Sequence, residues 1–125
     1  MYEWSLVLIK PDGVRRRLTG RILQRFEDAA FTVHAAKFVR PTPAQVQAHY
    51  AEHVDKPFFP SLEQYFAEGP VLALVIGGEG AIARIRVLVG ATIPAEAAPG
   101  TIRGDLAHQP LVKTADRQEQ PLRNL

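Results

Sequence analysis

The sequence predicts an α+β fold, one sheet with helices laid over it, of the split β-α-β kind. Short apolar runs suited to buried strands are separated by stretches with helical spacing of their apolar residues. Two helical stretches follow one another between the second and third strands, which breaks the regular alternation of a large parallel sheet. A length of 125 residues suits one domain, 1–125, with a modest core.

The elements follow in chain order. Trp4 to Ile9 is an apolar run for a buried strand, ended by Lys10-Pro11-Asp12-Gly13, a turn in which glycine would take a positive φ. Lys10 at the strand mouth suits either solvation or the holding of an anion. Leu18, Ile22 and Phe26 recur at helical spacing, so this helix lays one face on the sheet. Phe31 to Val39 reads as a second strand, with a less regular tail. Thr42-Pro43-Ala44-Gln45 combines an N-cap, a first-turn proline and a capping-box glutamine. The helix it starts leads to His49 and Tyr50. Pro57-Phe58-Phe59-Pro60 follows, and Pro60 opens a further helix with Leu62, Tyr65 and Phe66 on its apolar face. Gly69-Pro70 stops that helix. Val71 to Ile76 is a third buried strand, and Gly77-Gly78-Glu79-Gly80 turns into a helix with Ile82, Ile85 and Val89 on one face, capped by Gly90. Pro94 to Asp105 reads as a loop, and 106–125 as an extended loop or insertion with little periodicity.

Hydrophobic residues make up 46% of the chain and charged residues 22%, a globular composition with a formal net charge of +2. So small a positive excess argues against non-specific nucleic-acid binding and allows an anionic small molecule. Cysteine is absent, which removes disulfides and thiolate metal sites. The apolar start contains Glu3 and lacks a basic leader, so it is not a signal peptide. No apolar run approaches the roughly 20 residues of a membrane span. These features predict a cytoplasmic protein with no membrane partner.

Several motifs fail on their context. Gly78-x-Gly80-x-x-Ala83 lacks the acidic residue that a dinucleotide site needs further on. His49 and His53 are spaced i, i+4, but no carboxylate accompanies them as in a zinc helix, so no metal site is expected. Arg103-Gly104-Asp105 matches an adhesion triplet too short to carry weight. Lys10, Tyr50, Phe58, Arg86, Thr92 and Arg103 remain. Cations and a hydroxyl suit phosphates, and a loop phenylalanine suits either the core or the stacking of a nucleobase.

Ile9-Lys10-Pro11-Asp12-Gly13-Val14, Arg25-Phe26-Glu27, His49-Tyr50, Pro57-Phe58-Phe59-Pro60-Ser61-Leu62, Gly69-Pro70-Val71, Gly90-Ala91-Thr92 and Pro99-Gly100-Thr101-Ile102-Arg103-Gly104-Asp105 stand in this order. Together they resemble the nucleoside diphosphate kinase family. The resemblance implies a ferredoxin-like sandwich with an antiparallel four-stranded sheet, assembled as a tetramer or hexamer. It implies Mg²⁺-dependent transfer of a γ-phosphoryl group from nucleoside triphosphates to diphosphates by a ping-pong route through a phosphohistidine. Lys10, Tyr50 and Arg103 would be catalytic. Lys10, Phe58, Leu62, Arg86, Thr92, Arg103 and Asn124 would bind the nucleotide. Ile93 departs from the family's usual Asn. The family's Asn-apolar-apolar-His segment has only Arg123-Asn124-Leu125 to match it, so the acceptor histidine is expected to be missing from these residues and the chain alone inactive. His108 is a poor substitute, three residues beyond Asp105 and beside Gln109-Pro110. The alternative is a non-catalytic nucleotide-binding or assembly module on the same fold.

Overall fold

A computed structural model describes residues 1–57 and 59–107. Its elements are β1 (Tyr2–Ile9), α1 (Pro11–Arg15), α2 (Thr19–Asp28), β2 (Thr32–Val39), α3 (Pro43–His49), α4 (Phe59–Ala67), β3 (Val71–Glu79), α5 (Ala81–Val89) and α6 (Ile102–Leu106). Single 3₁₀ turns lie at Ala51–His53 and Pro94–Glu96.

The sheet is antiparallel in the order β1-β3-β2, so the described residues supply three of the strands expected. The third of these strands in sequence lies in the centre. Pairing of Ile9 with Leu72, Val7 with Leu74 and Ser5 with Ile76 sets one face, because directly paired residues point the same way. Leu72, Leu74 and Ile76 on that face pack with Ile22 and Phe26 of α2, Ile85 of α5 and Ile102 of α6. The opposite face is covered at one end by a second cluster of Val46, Phe59, Phe66 and Val71, from α3, α4 and β3. The hydrophobic effect thus fixes a helix–sheet–helix sandwich at that end.

At the other end the second face carries an aromatic group. The Trp4 and His34 rings stack at 4.2 Å with 7° between planes. The Tyr2 hydroxyl lies 2.7 Å from His34 Nε2. Beneath them is Gly77, whose place no larger residue could take: a Cβ there would meet His34 Nε2 at 2.5 Å. His34 sits in a β-bulge between Val33 and Ala35, which explains why the strand's alternation fails in its second half.

Four sequence expectations change. Residues 102–106, read as the end of a loop and the start of an extended segment, form α6, because the Thr101 side chain caps it by accepting from the Gly104 N–H. Pro11, Asp12 and Gly13 form the first turn of α1 rather than a reverse turn, since proline at a helix start and an acidic first turn both favour helix. Gly77 and Gly78 continue β3, and the chain turns at Gly80, which has φ 59°. Ile82 is 53% exposed rather than buried beside Ile85, because the helix rotates Ala81 into the core instead. The Thr42–Gln45 capping box forms as expected, with both of its hydrogen bonds.

Phe26 is fully buried at the centre of the main core. Phe26→Ala is expected to cost about 3–5 kcal/mol by denaturant unfolding, while Thr42→Ala costs only about 1 kcal/mol through its cap. Equal losses for the two would contradict this picture of the core.

Candidate functional site

A cavity of about 500 Å³ runs beside β1. One part is apolar, lined by Leu6 and Val7 of β1, Ile22 and Phe26 of α2, and Ile82 and Ile85 of α5. The other part is cationic. Lys10 reaches it because β1 ends there and Pro11 starts α1 at once. Arg86 comes from α5, Thr92 from the segment after Gly90, Tyr50 from the end of α3, and Arg103 from α6. Lys10, Tyr50, Arg86, Thr92 and Arg103 therefore share one cavity, although they are scattered through the sequence.

The cations crowd one another. Burial is the main cause that lowers the Lys10 ammonium from 10.5 to about 8; Arg103 adds repulsion, and Asp12 opposes the shift. The Lys10 Nζ also lies 5.6 Å above the Tyr65 ring of α4. Burial, then Arg86, lowers Arg103, with Tyr50 opposing. Burial raises the Tyr50 phenol, and Arg103 offsets part of that. Such a group of buried like charges is stabilised by an anion that neutralises them.

Arg103 is oriented by backbone. Its Nη1 donates to the Gly90 carbonyl at 3.1 Å. Gly90 has φ 90°, and a Cβ there would meet Thr101 Oγ1 at 2.6 Å. Only glycine satisfies both demands, so the end of α5 can approach the α6 loop closely. Thr101 Oγ1 accepts from Gly104 N–H at 3.0 Å and donates to the Ala98 carbonyl, which closes the turn before Arg103.

Leu62 is not among the lining residues; it packs against the cluster of Val46, Phe59, Phe66 and Val71. Phe58, His108 and Asn124 lie outside the described residues. His49 and His53, set aside in the sequence as a failed zinc pair, both line the cavity. Their spacing on either side of Tyr50 was the available signal. Asp12, read from sequence as a turn former, is 2% exposed and faces the Lys10 charge. Among the described residues no group of His, Asp and Glu is assembled to hold a metal ion.

The fold and cavity define an α+β protein with a cluster of cations beside an apolar wall. The family model for nucleoside diphosphate kinase matches residues 3–124. The chain is 51% identical over 105 residues to a nucleoside diphosphate kinase of Thermus thermophilus, covering 84% of this chain and 77% of that protein. Identity to the enzyme so named from Pasteurella multocida is 56% over 105 residues, covering 84% and 76%. Among solved structures, a transition-state mimic of the Borrelia burgdorferi nucleoside-diphosphate kinase with vanadate and ADP superposes with a TM-score of 0.89 at 33% identity, covering 98% of this chain and 76% of that one. The Halobacterium salinarum enzyme in complex with CDP superposes with a TM-score of 0.84 at 44% identity, covering 87% and 72%. This chain belongs to the nucleoside diphosphate kinase family.

The Lys10 shift sets a pH dependence. The folded value lies below the unfolded one, so the folded chain binds this proton more weakly; the stability cost of burying the charge is present below about pH 8 and is relieved as pH rises toward 10.5. Anion binding runs the other way, because it needs the charged form. Calorimetric titration with inorganic tripolyphosphate is expected to show affinity falling as pH rises above about 8, with a weaker fall in Lys10→Met. An identical pH profile for the two proteins would show that Lys10 does not face the anion.

Proposed function

We propose that this protein is a nucleoside diphosphate kinase: it moves the γ-phosphoryl group of a nucleoside triphosphate to a nucleoside diphosphate by a ping-pong route through a phosphohistidine. The observation that carries the reading is the meeting of Lys10, Tyr50, Arg86, Thr92 and Arg103 in one cavity. Phosphoryl transfer demands mainly positioning and charge stabilisation, which this set supplies.

In this reading Arg86 and Thr92 hold the distal phosphates of the bound nucleotide. Arg103 and Lys10 neutralise charge on the phosphoryl group in flight, and Lys10 also meets the ribose hydroxyl. Tyr50 orients the acceptor histidine. Phe58 stacks on the base with Leu62 behind it, and Asn124 meets the ribose. Stacking without base-edge hydrogen bonds gives broad tolerance of bases. Mg²⁺ belongs with the substrate: the lining offers cations and hydroxyls, which suit phosphate oxygens, and the metal would ride on those oxygens. The reading also takes 1–125 as one domain of a cytoplasmic homo-oligomer, a tetramer or hexamer.

The protein is expected to bind ADP with Mg²⁺ through this cavity. Arg86→Ala is expected to weaken ADP binding by about 1.5–3 kcal/mol, the range for a hydrogen bond to a charged group. Calorimetry measures the binding, and intact mass after incubation with ATP and Mg²⁺ measures phosphorylation. Failure to bind any nucleotide would overturn the whole reading.

A further inference from the structure

Arg103 is placed in the cavity by the short helix α6, which Ile102, Leu106 and the following Ala107 hold against the core. The helix α6 buries Ile102, and it begins after the irregular segment that follows Gly90. Its arginine is pressed by like charge from Arg86, and in turn presses on Lys10. Some contact must hold the loop against that repulsion. A ring of hydrogen bonds on the side of α2 does so. Arg25, from the last turn of α2, donates through Nη2 to Asp105 Oδ2 at 2.9 Å and to the Gly100 carbonyl. Asp105 Oδ1 accepts from the Gly100 N–H at 2.9 Å. Gly100 is thus gripped at both its N–H and its C=O, and Asp105 is gripped at both oxygens.

Resting on the nucleotide-binding reading above, we infer that Arg25 and Asp105 form a clamp that positions Arg103 for the outermost phosphate of a nucleoside triphosphate. The clamp brackets Arg103, three residues after Gly100 and two before Asp105, and it ties both flanks to a helix anchored by Ile22 and Phe26 in the core. A lone exposed ion pair contributes little. Here, closure of the ring through a main-chain group converts the pair into a constraint on backbone position. The Gly100 N–H first, and then Arg25, hold the Asp105 carboxyl below its ordinary 3.8. A depressed carboxyl contributes above its unfolded value and is lost only as pH falls through the folded one, so the clamp stays closed across neutral pH. Arg25 and Asp105 are positioning residues, acting through Arg103 without touching the substrate.

The test compares ATP and ADP binding, each with Mg²⁺, in the wild-type chain, Arg25→Met, Asp105→Asn and the double variant, with melting temperature measured alongside. The clamp predicts that each single variant loses about tenfold in ATP affinity, one charge-assisted hydrogen bond's worth of positioning, with ADP affinity nearly unchanged. It also predicts that the double variant is no worse than either single one, because the two residues act as a unit. Equal losses for ATP and ADP accompanied by a lower melting temperature would reduce the ring to general structure and overturn the inference, as would additive losses or none. A wild-type chain that binds neither nucleotide brings down the nucleotide reading itself, an outcome the variants do not enter.

Discussion

A central strand that is apolar on both faces governs the architecture. Val71, Leu72, Leu74 and Ile76 are all nearly inaccessible, and successive residues of the strand point to opposite sides of the sheet. A strand of this kind has to be covered twice, so helices must be laid on both faces. Helices α2 and α5 cover one face, and α3 with α4 cover one end of the other. Lys10 owes its burial to the same requirement: β1 runs out where α4 closes over the sheet, and the ammonium group is left above the Tyr65 ring. The site chemistry therefore follows from how the sheet is covered.

The cavity's cations cost the fold stability when no ligand is present. Burial confines Lys10 beside its like-charged neighbour, and Arg103 is tethered to the Gly90 carbonyl. Charge held in place before a ligand arrives needs no reorganisation when the ligand does arrive. The irregular backbone between Gly90 and Asp105 supplies this rigidity through side-chain hydrogen bonds to main chain, at Thr101, Arg25 and Asp105.

The fold was largely legible in the sequence because strands and helices announce themselves by apolar period. The period of Leu18, Ile22 and Phe26 placed α2, and the Thr42–Gln45 cap placed α3. Local chemistry was misread where one residue type serves two conformations. Pro-Asp-Gly suits a turn or a helix start, and the helical hydrogen bonds from Val14 N–H to the Lys10 carbonyl and from Arg16 N–H to the Asp12 carbonyl distinguish them. Gly77 looked like turn material, yet it is a strand glycine whose missing side chain makes room for an aromatic group on a neighbouring strand. For the site, side-chain chemistry put Lys10, Tyr50, Phe58, Arg86, Thr92 and Arg103 in one candidate set, and the structure brings all of them but Phe58, which lies outside the described residues, into one cavity. The role of the Arg25–Asp105 pair was not legible, because its members stand eighty residues apart and no period links them.

The stacked Trp4–His34 pair also has an optical meaning. Trp4 is the chain's one tryptophan, so every photon of indole emission comes from a ring lying flat on an imidazole where β1 and β2 face each other across β3. Trp4 does not line the cavity. The intrinsic emission of this protein thus reports whether the sheet is assembled, and its unfolding can be followed without a dye.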